Sequence, residues 1–346
     1  MQKNRKHLTL ILLAVLPCLL FAENAKKKDK TKEPEGEITR GLPGVLWREP
    51  ANIASRDVFN GPGGKQHQPH GTFKFVKEDL EGSNPKFVVE DQDGVKWKVK
   101  LGAESKSETA ASRIVWAVGY YANEDYYLPT MAVKDVPSGL HRGKQFIDPD
   151  GTMHEARLKR DTGGEKKIGI WKWRDNPFAN TREEDGLRVL MAVINNWDLK
   201  DLNNAIYETK HSESGQPELI YLVSDLGASF GPTGLVKGHE KSRGYLPAYQ
   251  RSRFIRKIHG DEVDFDTPHR AAIVALVNPP HFFMRLGLRW IGRNIPRQDA
   301  KWLGERLAQL SPGQLRDAFR AAGYSPQEIE GFTAVLQSRI AQLTEL

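Results

Sequence analysis

Three polar side chains near the middle of the chain have the types and the spacing needed for phosphate chemistry. Asp198 precedes Asn203 by five residues, and a second carboxylate, Asp225, stands two residues before Gly227. A carboxylate can accept a proton from a hydroxyl group or position it for attack, while amide and carboxylate oxygens are ligands that Mg²⁺ accepts. Together these groups could hold a magnesium nucleotide and orient an attacking hydroxyl.

A helix and a hairpin must position these side chains. Residues 181–184 have the pattern of a capping box, which predicts that a helix begins there and presents one apolar side. That helix leads into Asp198, and the apolar segment 219–223 predicts a strand that leads into Asp225. Asp and Asn also favour ordinary polar turns, but the preceding helix and the following strand favour a functional site here.

The order of these motifs resembles the protein-kinase-like superfamily over roughly residues 73–230. Asp198-Leu199-Lys200-x-x-Asn203 is similar to its catalytic loop, and Asp225-Leu226-Gly227 is similar to its metal-binding Asp-Phe-Gly. The atypical branches are the most similar: HipA-type kinases, phosphoinositide kinases and the secretory-pathway kinases of the Golgi. The resemblance implies that Asp198 positions the acceptor hydroxyl, and that Asn203 and Asp225 ligate Mg²⁺ or Mn²⁺ at the phosphates of ATP.

The same resemblance implies a strand lysine that contacts the phosphates. Residues 95–101 alternate strictly after the turn signal at residues 91–94, so we predict the second strand of a hairpin. We favour Lys100 as the phosphate ligand because it is nearest in sequence to the next helix, with Lys98 as the alternative. A solvated strand face is the other interpretation of Lys96, Lys98 and Lys100.

A helix carboxylate is also implied, which would fix the ammonium group of the lysine. Ser107 is the predicted N-cap of the helix after the strand, and Glu108 then stands in the first turn. Glu104 competes for this role, but by this placement it precedes the helix. We therefore predict that Lys100 and Glu108 form the pair.

Two parts of the superfamily pattern are missing from the sequence. Residues 81–85 occupy the place of the Gly-x-Gly-x-x-Gly loop, where Ser83, Asn84 or backbone N–H groups could cover the phosphates instead. The segment after Gly227 has no Ala-Pro-Glu ending, so the platform for a peptide substrate lacks its usual motif.

Net charge favours a small anionic ligand over nucleic acid. The 346 residues carry a formal charge of +7, part of it in an N-terminal lysine run, so the remainder is only mildly basic. One basic cluster could meet an acidic or phosphorylated substrate, or else face solvent on a helix: Arg251, Arg253, Arg256 and Lys257.

The first residues are typical of an export signal. A basic start is followed by the apolar run 8–21 and by Ala22, which predicts cleavage after only transient contact with a membrane. The sole cysteine, Cys18, lies in this run, so the mature chain would have no thiol for a disulfide or a nucleophile. A lipid anchor at Cys18 is the less favoured alternative because Pro17 precedes it.

The regions follow from these patterns: a signal peptide at 1–22, a disordered Lys/Glu-rich tether at 23–40, an N-terminal extension and N-lobe at 41–175, and a C-lobe at 176–346. We predict an α+β protein of two-lobed, protein-kinase-like fold. The N-lobe would be a small antiparallel β structure with one key helix. The C-lobe would be larger and mainly helical, with helices throughout the chain after about residue 266.

The resemblance implies an exported, ATP-dependent phosphotransferase that uses Mg²⁺ or Mn²⁺ and acts on a hydroxyl of an unknown protein, lipid or saccharide. Two alternatives stay open. The chain could be a nucleotidyl (AMP) transferase that binds ATP in a flipped pose. It could instead be a catalytically inactive pseudokinase that serves as an extracytoplasmic binding module.

Overall fold

A computed structural model describes residues 41–82, 84–161, 165–196, 198–209, 215–231, 243–266 and 279–346. These residues belong to one compact unit, Gly36–Leu346. The predicted signal peptide with Cys18, the predicted tether, Ser83 and Trp197 lie outside the described residues. Within the described ranges, we find no helix with the length and apolar character that a membrane crossing requires.

Five strands in the first half of the chain close into a barrel, after a short strand near residue 44. The strands are β1 (Gly44–Val45), β2 (Phe73–Asp79), β3 (Lys86–Glu90), β4 (Lys96–Leu101), β5 (Asp125–Lys134) and β6 (Thr152–Arg160). The barrel order is β2-β3-β4-β6-β5, and β5 pairs with β2 in parallel to close it. The predicted turn between β3 and β4 is confirmed, because the N–H of Gly94 donates to the carbonyl of Asp91.

Alternation along β4 explains which side chains fill the barrel. Trp97 and Val99 point inward and are buried, while Lys96 and Lys98 are exposed on the outer face. Lys100 shares that outer face but is buried, since the helix that follows packs over the end of the strand.

That helix, α1 (Glu104–Ala117), is buried along nearly its whole length. The predicted N-cap at Ser107 is wrong, because the helix begins one turn earlier, at Glu104 after Ala103. The Ser107 hydroxyl lies inside the helix and donates to the carbonyl of Gly227 over 2.6 Å. This contact joins α1 to the segment that follows Asp225.

A second sheet leads into the residues predicted for chemistry. It has the order β1-β9-β8-β7, and its other strands and the preceding helix are β7 (Glu165–Gly169), α2 (Arg182–Val193), β8 (Asn204–Thr209) and β9 (Glu218–Val223). Strands β8 and β9 form the predicted hairpin, with Asn204 opposite Val223. The hairpin therefore places the residues before Asn204 next to those after Val223.

The predicted capping box at the start of α2 forms only in part. The Thr181 hydroxyl accepts from the N–H of Glu184 over 3.2 Å, but the N–H of Thr181 donates to Phe178. The Glu184 carboxylate turns inward instead and lies 3.9 Å from Arg188.

Helices dominate the remainder of the described chain. The elements are α3 (Leu246–Arg251), β10 (Ile255–His259), β11 (Glu262–Phe265), α4 (Pro279–Gly287), β12 (Ile295–Pro296), α5 (Arg297–Leu307), α6 (Pro312–Ala321) and α7 (Pro326–Thr344). The described residues thus contain seven α-helices and several sheets, in agreement with a mixed helix-and-strand class. The sheet of β10, β11 and β12 was not predicted, and Arg256 and Lys257 lie on strand β10 and not on a helix face.

The N-terminal extension is tied to distant parts of the chain. The Trp47 indole donates to the carbonyl of Val118 over 2.8 Å. The side-chain amide of Gln314, on α6, donates to the carbonyls of Ile53 and Arg56 over 2.9 and 3.0 Å. The extension is therefore fixed against both α1 and the C-terminal helices.

Candidate active site

Lys100 lies at the centre of a cluster of three carboxylates. Its Nζ atom is 2.7 Å from Glu108 Oε2, 3.1 Å from Glu104 Oε2 and 3.3 Å from Asp225 Oδ1. Burial alone would lower the pKa of Lys100, but the charges of Glu108 and Asp225 outweigh it and the pKa is raised. The ammonium group is therefore charged at neutral pH.

Glu108 is shared between two cations. Its side chain is only 1% exposed, and its second oxygen lies 2.9 Å from a guanidinium nitrogen of Arg157 on β6. Arg157 also lies 3.5 Å from Asp125, whose pKa is raised by burial against the opposing charge of Arg157. A carboxylate buried this deeply needs such partners, because an unpaired buried charge is strongly destabilising.

Sequence reasoning missed Arg157 together with strand β6. One local signal could have found it: Ala156 and Leu158 flank the arginine in a short segment of strand-like alternation. What makes Arg157 part of the site is its position opposite Lys100 in the strand pairing, and that register is a long-range property.

Asp225 is the carboxylate of the cluster that also reaches solvent. It follows β9, and its Oδ1 accepts from the N–H of Gly227 over 3.1 Å. Burial would raise the pKa of the Asp225 carboxyl, but Lys100 and the Gly227 amide hold it below its ordinary value. Gly227 also permits a close approach, since a Cβ there would lie 2.9 Å from Glu104.

Asp198 is connected to Asp225 through Asn203. The backbone carbonyl of Asn203 accepts from the N–H groups of Ser224 and Asp225, over 2.7 and 3.2 Å. Its side-chain amide donates to the carbonyl of Asp198 over 2.6 Å. The Asp198 carboxylate in turn lies 3.0 Å from Lys200. The structure therefore brings Asn203 and Asp225 together and ties the backbone of Asp198 to them.

Lys98 lies outside this cluster. It stands on the same outer face of β4 as Lys100, two residues earlier and beyond the cover of α1, and its side chain is exposed. Among the described ion pairs, Lys100 is the lysine of this strand that contacts Glu108. The position of α1 thus separates the favoured residue from the alternative.

Glu104 belongs to the site, although the helix boundary predicted from the sequence excluded it. It is the first residue of α1, and its carboxylate accepts from the side-chain amide of Asn84 as well as from Lys100. Arg243 lies 2.6 Å from its other oxygen. Asn84, which the sequence places in the loop over the phosphates, therefore does approach the cluster.

The three carboxylates surround a position that the Lys100 ammonium group occupies, so a hard metal ion would have to bind on the side where Asp225 reaches solvent. Glu104, Glu108 and Asp225 each offer one oxygen, and these atoms all lie within 4.8 Å of one another. Carboxylate oxygens are the ligands that Mg²⁺ and Mn²⁺ prefer. Asp225 is the member common to this group and to the predicted pair of Asn203 and Asp225.

No family model and no curated relative matches the chain. Among solved structures, it is similar to the Helicobacter pylori proinflammatory kinase CtkA, at 11% identity and a TM-score of 0.43, over 80% of this chain and 97% of that one. It is also similar to the Golgi casein kinase, at 12% identity and a TM-score of 0.32, over 80% of this chain and 73% of that one. A structure of the Golgi casein kinase with Mn/ADP bound matches at 12% identity and a TM-score of 0.29, over 80% and 74% of the two chains.

Proposed function

We propose that the protein is an exported, two-lobed, kinase-like phosphotransferase that moves the γ-phosphate of ATP to a hydroxyl of a protein, lipid or saccharide. The observation that carries the proposal is the ion-pair cluster of Lys100. It joins a strand lysine, a helix carboxylate and the Asp225 turn, and Lys100 and Asp225 are 125 residues apart in sequence. A solvated strand lysine would have none of these buried partners.

Two separate apolar cores support the two-lobed arrangement. The buried residues inside the barrel, such as Trp97 and Met153, form one cluster. Those of α1, the second sheet and the C-terminal helices form another, which includes Ile114 and Phe332. On this proposal the barrel is the core of the small lobe, and the cluster of Lys100 lies where the outer face of the barrel meets α1.

Lys100 is suited to bind the phosphates of the nucleotide. Glu108 fixes its ammonium group, and because Arg157 holds the other oxygen of Glu108, that carboxylate has little freedom to turn away. A bound Mg²⁺ or Mn²⁺ would neutralise charge on the phosphates. Asp225 could hold the metal, and Asn203 could join it because its backbone carbonyl bonds the N–H groups of Ser224 and Asp225 and so keeps the two residues adjacent.

Asp198 would orient the acceptor. Its carboxylate can accept the proton of the acceptor hydroxyl while the hydroxyl oxygen forms a bond to the γ-phosphorus. The bond from that phosphorus to the bridging oxygen breaks at the same time, and ADP leaves with the electron pair. Lys200, 3.0 Å from the Asp198 carboxylate, holds that group in place.

The test uses purified mature protein with ATP labelled in the γ position and either Mg²⁺ or Mn²⁺. We expect label transfer in the wild type and a fall of about 10²- to 10⁴-fold in Asp198→Asn with nucleotide binding retained. Asp201→Asn is the matched control, because Asp201 lies in the same loop and accepts from the backbone N–H of Trp173, a bond that asparagine can keep.

The alternatives give distinct results. Transfer of an α-phosphate label would identify a nucleotidyl transferase. A thermal shift with ATP and metal that is lost in Asp225→Asn, without transfer of either label, would identify a nucleotide-binding pseudokinase. A wild type that binds no nucleotide with either metal would overturn all three.

A further inference from the structure

Arg243 lies at the ion cluster although it comes from a different part of the chain. Its Nε atom is 2.6 Å from Glu104 Oε1, while Oε2 of the same carboxylate is 3.1 Å from Lys100 Nζ. One carboxylate therefore holds the predicted phosphate lysine and an arginine side by side. The motif search had no reason to select Arg243, because it stands 18 residues after Asp225.

The backbone next to Arg243 adopts a conformation that requires glycine at position 244. Gly244 has a φ of +60°, and a Cβ on it would lie 1.9 Å from the Tyr324 hydroxyl oxygen, so a larger residue does not fit. The N–H of Gly244 donates to Ser229, and the next N–H, of Tyr245, donates to Phe230. Arg243 is thus fixed against the residues that directly follow the Asp225 turn.

The balance of charges around Glu104 indicates what an arginine would contribute to nucleotide binding. The cations that face the carboxylates of Glu104, Glu108 and Asp225 are Lys100 from β4, Arg157 from β6 and Arg243. These three cations balance the charges of the three carboxylates. A nucleotide adds a chain of negative phosphates, so its binding is favoured by a cation that faces them in addition to Lys100.

Arg243 is the most exposed of these three cations. Lys100 and Arg157 are 3% and 8% exposed and both hold Glu108, whereas the Arg243 side chain is 18% exposed at the edge of the cluster. Its guanidinium can offer two parallel N–H donors to a phosphate, which an ammonium group cannot.

We propose that Arg243 is a second phosphate-binding residue of the site, which Glu104 holds in place until a nucleotide arrives. Glu104 is then a positioning residue that competes with the phosphate for Arg243. This inference rests on the proposed function in one respect, since it requires that the site binds a nucleotide.

The experiment measures binding of ADP and of adenosine by calorimetry in EDTA, so that metal ligation does not contribute. We expect Arg243→Gln to weaken ADP binding roughly tenfold or more and to leave adenosine binding unchanged. The ADP affinity of Arg243→Lys should lie between those of the wild type and Arg243→Gln. Lysine keeps the positive charge but loses the two parallel N–H donors of the guanidinium group. Arg48→Gln is the matched control: Arg48 lies 2.9 Å from Glu218 in another ion pair, and its loss should not alter ADP binding.

A double-mutant cycle tests the role of Glu104. Glu104→Gln should strengthen metal-free ADP binding, and that gain should vanish when Arg243→Gln is present. If Arg243→Gln fails to fold, the cycle is run with Arg243→Lys, in which the gain from Glu104→Gln should persist in reduced form.

The results separate this inference from the proposed function. A wild type that binds ADP neither in EDTA nor with Mg²⁺ or Mn²⁺ overturns both, and one that binds ADP only with metal overturns the role of Arg243 as a metal-independent phosphate ligand. A wild type that binds ADP and transfers phosphate, with equal ADP affinity in Arg243→Gln, overturns only the role of Arg243. Additive effects in the cycle would show that Glu104 does not act through Arg243.

Discussion

Lys100 and Arg157 lie opposite each other on the neighbouring strands β4 and β6, and both reach the carboxylate of Glu108. Each cation also approaches a second carboxylate. Lys100 points toward Asp225 and the candidate phosphate site, whereas Arg157 points toward the buried Asp125. The Glu108 carboxylate thus joins Lys100, at the candidate phosphate site, to Arg157, which is the partner of a buried carboxylate. Substituting Lys100 or Arg157 separates the two contacts.

Arg157→Met should destabilise the fold severely. It leaves Asp125 buried without its guanidinium partner and Glu108 with Lys100 alone, so we expect a loss of about 3–5 kcal/mol in the free energy of unfolding. Urea denaturation measures this loss. Arg160→Met is the control, because Arg160 lies on the same strand at 4.0 Å from Glu124 and is partly exposed. Equal losses in the two variants would contradict the buried network.

Lys100→Met should affect nucleotide binding more than stability. Glu108 keeps Arg157 as a partner, so the loss of unfolding free energy should be smaller than in Arg157→Met. The thermal shift caused by ATP and metal should disappear, because the ammonium group that faces the phosphates is gone. Lys98→Met, an exposed change on the same strand face, should leave that shift intact. A shift lost in Lys98→Met and kept in Lys100→Met would reverse the assignment.

Glu184 should make stability depend on pH. Burial raises the pKa of its carboxyl to about 7, with the charge of Arg188 opposing and that of Asp185 adding to the effect. Since the folded pKa exceeds the unfolded value of 4.5, the fold favours the protonated form. Its contribution is fully present below about pH 4.5 and is lost as the pH rises through about 7.

Glu184→Gln should therefore flatten the stability curve between these pH values, by at most about 3 kcal/mol. Denaturant midpoints recorded at several pH values measure the slope. Glu183→Gln changes the neighbouring, more exposed carboxylate and should leave the slope as it is. A slope unchanged in Glu184→Gln would mean that other carboxyls account for it.

Gly244→Ala should destabilise the segment that carries Arg243. The new Cβ meets the Tyr324 hydroxyl, and the residue must keep a positive φ that alanine disfavours. Adding Tyr324→Phe removes the closest atom but not the backbone strain, so the double variant should recover only part of the loss. Thermal denaturation of the two single variants and the double variant checks this order. Strictly additive losses would contradict the contact.

Local spacing is sufficient to predict part of the candidate site. The motifs at Asp198, Asn203 and Asp225 are short, and the alternation of β4 identified Lys100 without any knowledge of tertiary structure. The pairing of Lys100 with Glu108 needed only the order of a strand and a helix. Arg157 and Arg243, which also contact the cluster, belong to no motif of comparable spacing.

The missed features depend on properties that a local pattern does not contain. Arg157 is part of the site through strand register, and Arg243 through the path of the chain after Asp225. Glu104 was set aside because the predicted helix start was one turn late, a distance over which side-chain preferences discriminate poorly. Strand β10 has mostly exposed side chains, so it lacks the alternation of a half-buried strand.

The two hydrogen bonds from Gln314 bear on the order in which the chain can fold during synthesis. Ile53 and Gln314 are 261 residues apart, so this corner cannot close until a ribosome has made almost the whole protein. The carbonyls of Ile53 and Arg56 already accept local backbone N–H groups, so α6 adds a second donor that fixes the extension in place. The N-terminal extension can therefore take up its final position only after nearly all of the chain has been synthesised.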